Sequence, residues 1–171
     1  MRSENTEVLR QHLAQQPQYN NMKKVPNWII LSILLIACIG FFDTVYLTTN
    51  HYRGTVAPCF ITGGCDRVTT SVYSVIAGVP VAVLGMLFYF SILLLSAWYI
   101  QKEDMRAFKG LTLLSYIGFG MSLWFIYVQA NIIGAWCVYC LLSATTSTLI
   151  FILANVGCWK KKEERIEENE K

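Results

Sequence analysis

Two cysteine pairs have residue types and spacings that could do chemistry. In Cys137-Val138-Tyr139-Cys140 the thiols stand three residues apart, which places both side chains on one face of a helix. Thiol pKa values are commonly depressed in a Cys-x-x-Cys arrangement and at the positive end of a helix dipole. The resulting thiolate is the species that attacks a disulfide or an electron acceptor. The second pair, Cys59 and Cys65, is separated by five residues that include Gly63-Gly64. That step can take positive φ and fold the loop back until the two sulfurs meet disulfide geometry. A mobile pair beside a fixed, activated pair is the layout of a disulfide relay.

Plainer arrangements of the same residues stand beside this one. All four cysteines could form two stabilising disulfides under an oxidising surface. A four-cysteine zinc site is arithmetically possible, but the Cys59/Cys65 spacing is not the usual two-to-four-residue ligand spacing. Cys38, in mid-span, and Cys158, at the end of the last apolar run, read as small hydrophobes.

The elements that position these cysteines follow from composition. Of 171 residues, 54% are hydrophobic and 15% charged, too apolar for an ordinary soluble domain. A bilayer core needs roughly 20 apolar helical residues. Four runs meet that length, at 28–47, 80–100, 111–130 and 135–159. The sequence therefore predicts an all-α membrane protein, a four-transmembrane-helix bundle occupying residues 28–159. A polar tail (1–27) precedes it and a charged tail (160–171) follows it. Some 25 polar residues before the first run argue against a cleaved signal peptide.

Twelve of the 14 basic residues lie in the two tails and in the link between the second and third runs. Only Arg53 and Arg67 lie on the other side, so both termini are expected in the cytoplasm. This topology brings Cys59, Cys65, Cys137 and Cys140 to one outer face. It also gives the 48–79 loop about 30 residues, a length that usually serves a function. Residues 66–77 of that loop are expected to form a short amphipathic helix ahead of Pro80.

The ordered combination resembles the vitamin K epoxide reductase family, in particular its bacterial thiol-oxidising branch. The resemblance is carried by the Cys59/Cys65 pair, Ser71, the run from Gly78 to Tyr89 opening the second helix, and the Cys137/Cys140 pair opening the fourth; Asp43 to Leu47 also fits. It covers about Trp28 to Trp159. DsbB-type oxidases are the near alternative, but their Cys-x-x-Cys pair comes first in the chain.

The resemblance implies a membrane thiol:quinone oxidoreductase in which Cys59 meets a thioredoxin-like or DsbA-like disulfide carrier, Cys65 exchanges with Cys137, and Cys140 faces the quinone. It also implies that Ser71 places a hydroxyl near a quinone carbonyl. Mammalian members carry Asn and Tyr where this chain has Val81 and Ala144. That difference favours ubiquinone or menaquinone over vitamin K epoxide. A bacterial inner membrane with a periplasmic active site is the expected location. The expected partners are membrane lipid, quinone and a separate carrier, with no nucleic acid. A heavy-metal transport protein is the rival reading, and would need cysteine pairs along the span or on its inner side.

Among the remaining polar residues, His12 and His51 read as solvated surface. Asp43 reads as interfacial or structural more than proton-handling. Trp124, Phe125, Tyr127, Trp136 and Tyr139 read as an interfacial belt, some of which could line a quinone pocket. The small residues Gly78, Ala82, Gly85, Gly118 and Gly120 read as sites of close helix packing.

Overall fold

Pro26 and Pro80 stand immediately ahead of the first two long apolar helices, where their missing N–H removes no intrahelical bond. The structure, a computed structural model, describes residues 25–55, 58 and 63–169. The polar stretch up to Lys24 and the loop cysteine Cys59 lie outside the described residues.

Helix α1 runs Asn27–Arg53 and ends on Gly54 in the left-handed conformation. The short α2 (Cys65–Thr69), a 3-10 turn (Val72–Ser74) and a two-stranded hairpin, β1 (Val75–Ile76) and β2 (Val79–Pro80), lead to α3 (Val81–Lys102). Helix α4 (Met105–Tyr127) continues as a π-helix over Val128–Ile133, and α5 spans Val138–Asn169. Only Glu103 and Asp104 separate α3 from α4, which makes those helices an antiparallel hairpin. Glu103, at positive φ, closes α3 by donating its N–H to Tyr99 O at 2.8 Å. The Asp104 carboxylate caps α4 by accepting the Arg106 N–H at 2.9 Å.

The four long helices form a ring in which α1 packs against α3 and α5, and α4 packs against the same two. All four are long and apolar enough to cross a membrane. Their outward faces confirm the environment. On α1, Leu31, Leu35, Ile39 and Phe42 are exposed while Ile30, Ile33, Ala37 and Gly40 are buried, so both faces of the helix are apolar. A surface of this kind is stable against lipid and not against water. The chain is a multi-pass membrane protein.

Interhelical polar contacts tie the ring where apolar attraction between helices is weak. Tyr116 on α4 donates to Asn155 Oδ1 on α5 at 2.6 Å, and Ser122 shares a hydrogen bond with Ser147. Tyr99 on α3 accepts the Val25 N–H at 3.0 Å.

The outer loop departs from the single amphipathic helix expected over 66–77. Its helix covers Cys65–Thr69 only, because Thr69 Oγ1 and Thr70 Oγ1 bond back to the carbonyls of Cys65 and Asp66 at 2.7 Å and Ser71 turns to extended backbone. Such local side-chain bonds compete with helix propagation. Beyond them, Ala77 and Gly78 both take positive φ, the tight hairpin turn that joins β1 to β2. The first span also runs six residues past the expected Leu47.

Gly40 carries the α1–α3 contact. Any Cβ there would collide with the ring of Tyr89, which is fully buried. Gly40→Ala is therefore expected to cost about 1–3 kcal/mol through overpacking, read as a lower midpoint of thermal unfolding in detergent. Gly120→Ala, where a Cβ meets open space, should leave the midpoint unchanged or slightly raised.

Candidate functional site

Three chain segments converge at the end of the bundle where α4 gives way to α5. The first is α2. Its leading residue, Cys65, is fully buried and held in a disulfide. Gly63 takes positive φ, as the sequence allows, but Gly64 serves a different purpose. A Cβ on Gly64 would stand 2.8 Å from the Trp136 carbonyl oxygen and 3.1 Å from Ala135 Cβ. Absence of a side chain lets the loop rest directly on the backbone ahead of the second cysteine pair. Cys65, Val68, Ala135 and Cys137 form one buried cluster as a result, with Ile133, Tyr139 and Cys140 packed against it.

The second segment is the start of α5. Cys137 stands just before the first helical residue, and its carbonyl accepts the Leu141 N–H at 3.0 Å, the first turn of the helix. Its sulfur accepts the Cys140 N–H at 3.4 Å. Both Cys137 and Cys140 are thiols here. They do not share surroundings: Cys137 is fully buried beside Cys65, whereas Cys140 is half-buried and lines a cavity. Hydrogen bonding to the Cys140 side chain pulls the Cys137 thiol below its ordinary pKa, against the opposing effect of burial. Backbone N–H groups of Cys140 and Tyr139 add to the lowering, and the Asp43 charge opposes it.

The third component is that cavity, about 410 Å³, enclosed by all four long helices and the outer loop. This is the size of a small-molecule site. Its walls are largely apolar, among them Val81, Leu84, Phe88 and Ala144, and Thr44, Ser122, Ser143 and Ser147 also line it. Tyr89 also lines it. The Tyr89 hydroxyl donates to the Ser143 carbonyl at 2.7 Å and shares hydrogen bonds with Thr146 Oγ1 at 2.7 Å and Ser143 Oγ at 3.2 Å.

Of the residues singled out in the sequence, Cys65, Cys137 and Cys140 meet here, and Cys59 lies outside the described residues. Ser71 stands outside the lining, its hydroxyl donating to Val68 O at 2.8 Å; the loop hydroxyls that reach the wall are Thr69 and Ser74. His51, read as solvated surface, is exposed and also lines the cavity. Among the belt aromatics Phe125 lines the cavity, while Trp124 and Tyr127 face outward, and Tyr139 lies against Tyr46 with ring centroids 5.3 Å apart. Asp43 is buried, with Oδ2 lacking a hydrogen-bond partner. Sequence reasoning takes Tyr89 only as the end of the Gly78–Tyr89 run and misses Ser143 and Gln129. A tyrosine in an apolar run and a glutamine near a span end are the signals that could have marked two of them, because buried polar groups need partners.

The Cys137 environment makes a measurable claim. In reduced protein, alkylation of Cys137 by iodoacetamide, resolved by peptide mass, should reach its half-maximal rate at a pH below that of an ordinary thiol, about 8.5. Cys140→Ala removes the largest cause of the lowering and should move that midpoint to higher pH.

Comparison with known proteins agrees with the geometry. The chain is 36% identical over 123 residues to the thiol-disulfide oxidoreductase LTO1 of Arabidopsis thaliana, a match covering 66% of this chain and 32% of that protein. The chain thus spans about a third of the length of this curated relative. The profile described as "Vitamin K epoxide reductase family" matches residues 31–155, from the second turn of α1 well into α5. A match over that much of the chain places this protein in the vitamin K epoxide reductase family.

Proposed function

We propose that this member of the family is a thiol:quinone oxidoreductase that forms disulfides in a thioredoxin-like carrier. Family membership carries the coarser statement, a thiol oxidoreductase. The finer reading rests on one observation: the two cysteines of a single Cys-x-x-Cys pair face different spaces. Cys137 is buried with Cys65, and Cys140 lies in the wall of an apolar cavity. A pair so placed can take electrons on one side and release them on the other.

In this reading the carrier dithiol attacks the Cys59–Cys65 disulfide and leaves as a disulfide, with both loop cysteines reduced. The Cys65 thiolate then attacks a Cys137–Cys140 disulfide at Cys137, so that Cys140 departs as a thiolate. Cys59 resolves the mixed disulfide, restoring the loop pair and leaving Cys137 and Cys140 as the dithiol. A quinone in the cavity accepts two electrons and two protons from that dithiol. Depression of the Cys137 pKa suits it as the sulfur that leaves when Cys59 completes the exchange, since lower-pKa thiols leave faster.

The cavity supports a quinone as the acceptor. Its apolar walls suit a ring and a hydrocarbon tail. Val81 and Ala144 both line it, at the two positions where mammalian family members carry Asn and Tyr. The wall is thereby apolar at those positions, which favours ubiquinone or menaquinone over vitamin K epoxide. Ser71 could serve the quinone only by turning its hydroxyl away from Val68 O. The distribution of Lys and Arg supports a site on the face of the membrane away from the cytoplasm.

Purified protein mixed with a reduced thioredoxin-like carrier and a short-chain quinone should bleach quinone absorbance, and Cys140→Ala should lower that rate at least about 100-fold, as for a residue acting in the chemical step. A wild-type protein that consumes no quinone with several carriers, or an equally active Cys140→Ala protein, sinks the proposal. Ala144→Phe fills the cavity and should raise the quinone KM about tenfold or more, leaving Cys65 exchange with Cys137 intact in a quinone-free mixture.

A further inference from the structure

Gln129 is a fully buried polar side chain near the end of the third span, and the electron path described above does not use it. It occupies the second position of the π-helix Val128–Ile133. Its backbone carbonyl accepts the N–H of Gly134, which takes positive φ, and that of Ala135 at 3.2 Å. The chain therefore reverses around this one residue on its way to the cysteines. Its side chain crosses the same bend. Oε1 accepts the Cys137 N–H at 2.9 Å, and Nε2 donates to Phe125 O at 3.5 Å.

The Cys137 N–H needs such an acceptor. The first N–H groups of a helix have no intrahelical partner, and an unpaired one buried away from water is costly. In a capping box a Glu or Gln at the third helical position accepts the N–H of the N-cap residue. Here that third position is held by Cys140, a reacting cysteine, whose own N–H is donated to the Cys137 sulfur. The acceptor comes instead from eight residues upstream, across a π-turn, a feature frequent at functional sites.

Resting on the thiol oxidoreductase reading above, we infer that Gln129 is the positioning residue that holds Cys137 in place for exchange with Cys65. It touches no reacting atom; it anchors the backbone that carries one. Small displacements of a reacting group cost large factors in rate, so an anchor at the adjacent N–H has leverage. Gln129 is also absent from the cavity lining, which separates its effect from quinone binding.

The test compares Gln129→Leu, which removes the acceptor at similar volume, with Gln129→Glu, which keeps an oxygen at the same reach. Turnover is followed with carrier and quinone. The reduction potential of the Cys137/Cys140 pair is measured separately in glutathione buffers without quinone, by mass of alkylated peptides. Gln129→Leu should lower kcat about tenfold or more with an unchanged quinone KM, as for a misplaced reacting group. It should also shift the pair's potential, while Gln129→Glu recovers most of the rate. A Leu variant with wild-type rate and potential, or Leu and Glu variants impaired to the same extent, overturns the inference. If wild-type protein consumes no quinone, the acceptor proposal fails on its own, and the potentials of the wild-type and variant pairs still decide the role of Gln129.

Discussion

The contact on which the site depends is the bare approach of Gly64 to the backbone at Trp136. Here the outer loop lies on the segment that joins α4 to α5, with no side chain between them. Cys65 follows Gly64 directly, and Cys137 follows Trp136 directly, so this one backbone contact sets both sulfurs in the same buried cluster. Thiol exchange needs its sulfurs within bonding reach, and a loop of about 30 residues would otherwise explore a large volume at an entropic cost.

Behind that contact the four helices act as a partition. The start of α5 places Cys137 on the loop side and Cys140 on the cavity side, although only two residues lie between them. The two sulfurs therefore differ in environment. The buried sulfur is shielded from solvent and takes N–H donation from Cys140, while the other opens onto an apolar cavity. The same partition shapes the cavity, because Tyr89 fills the gap left by Gly40 and sends its hydroxyl across to Ser143 and Thr146 on α5. One aromatic ring thus joins α1, α3 and α5 at the cavity wall.

Polar groups inside the bundle fall into two kinds. Many hydroxyls bond to carbonyls on their own helix, as those of Ser115 and Thr148 do. Gln129 and Asp43 differ. Gln129 is paired across a bend, and Asp43 keeps a buried carboxylate oxygen without a hydrogen-bond partner close enough to act on Cys137. Both lie at the end of the bundle that holds the cysteines.

Sequence by itself determined the membrane bundle, because span length and apolar composition follow directly from the thickness and solvent properties of a bilayer. It also pointed to the two cysteine pairs and to their common face, since charge asymmetry orients the spans. It could not show that residues 66–77 break into a helix, a 3-10 turn and a hairpin, where Thr69, Thr70 and Ser71 redirect local hydrogen bonds. Nor could it separate Gly64 from Gly63: one glycine is required by positive φ, the other by a contact with residues some 70 positions away. Only the tertiary structure decided that Cys137 faces the loop and Cys140 the cavity. A spacing of three predicts a shared helix face, whereas the environment of each sulfur depends on what the rest of the chain packs against it.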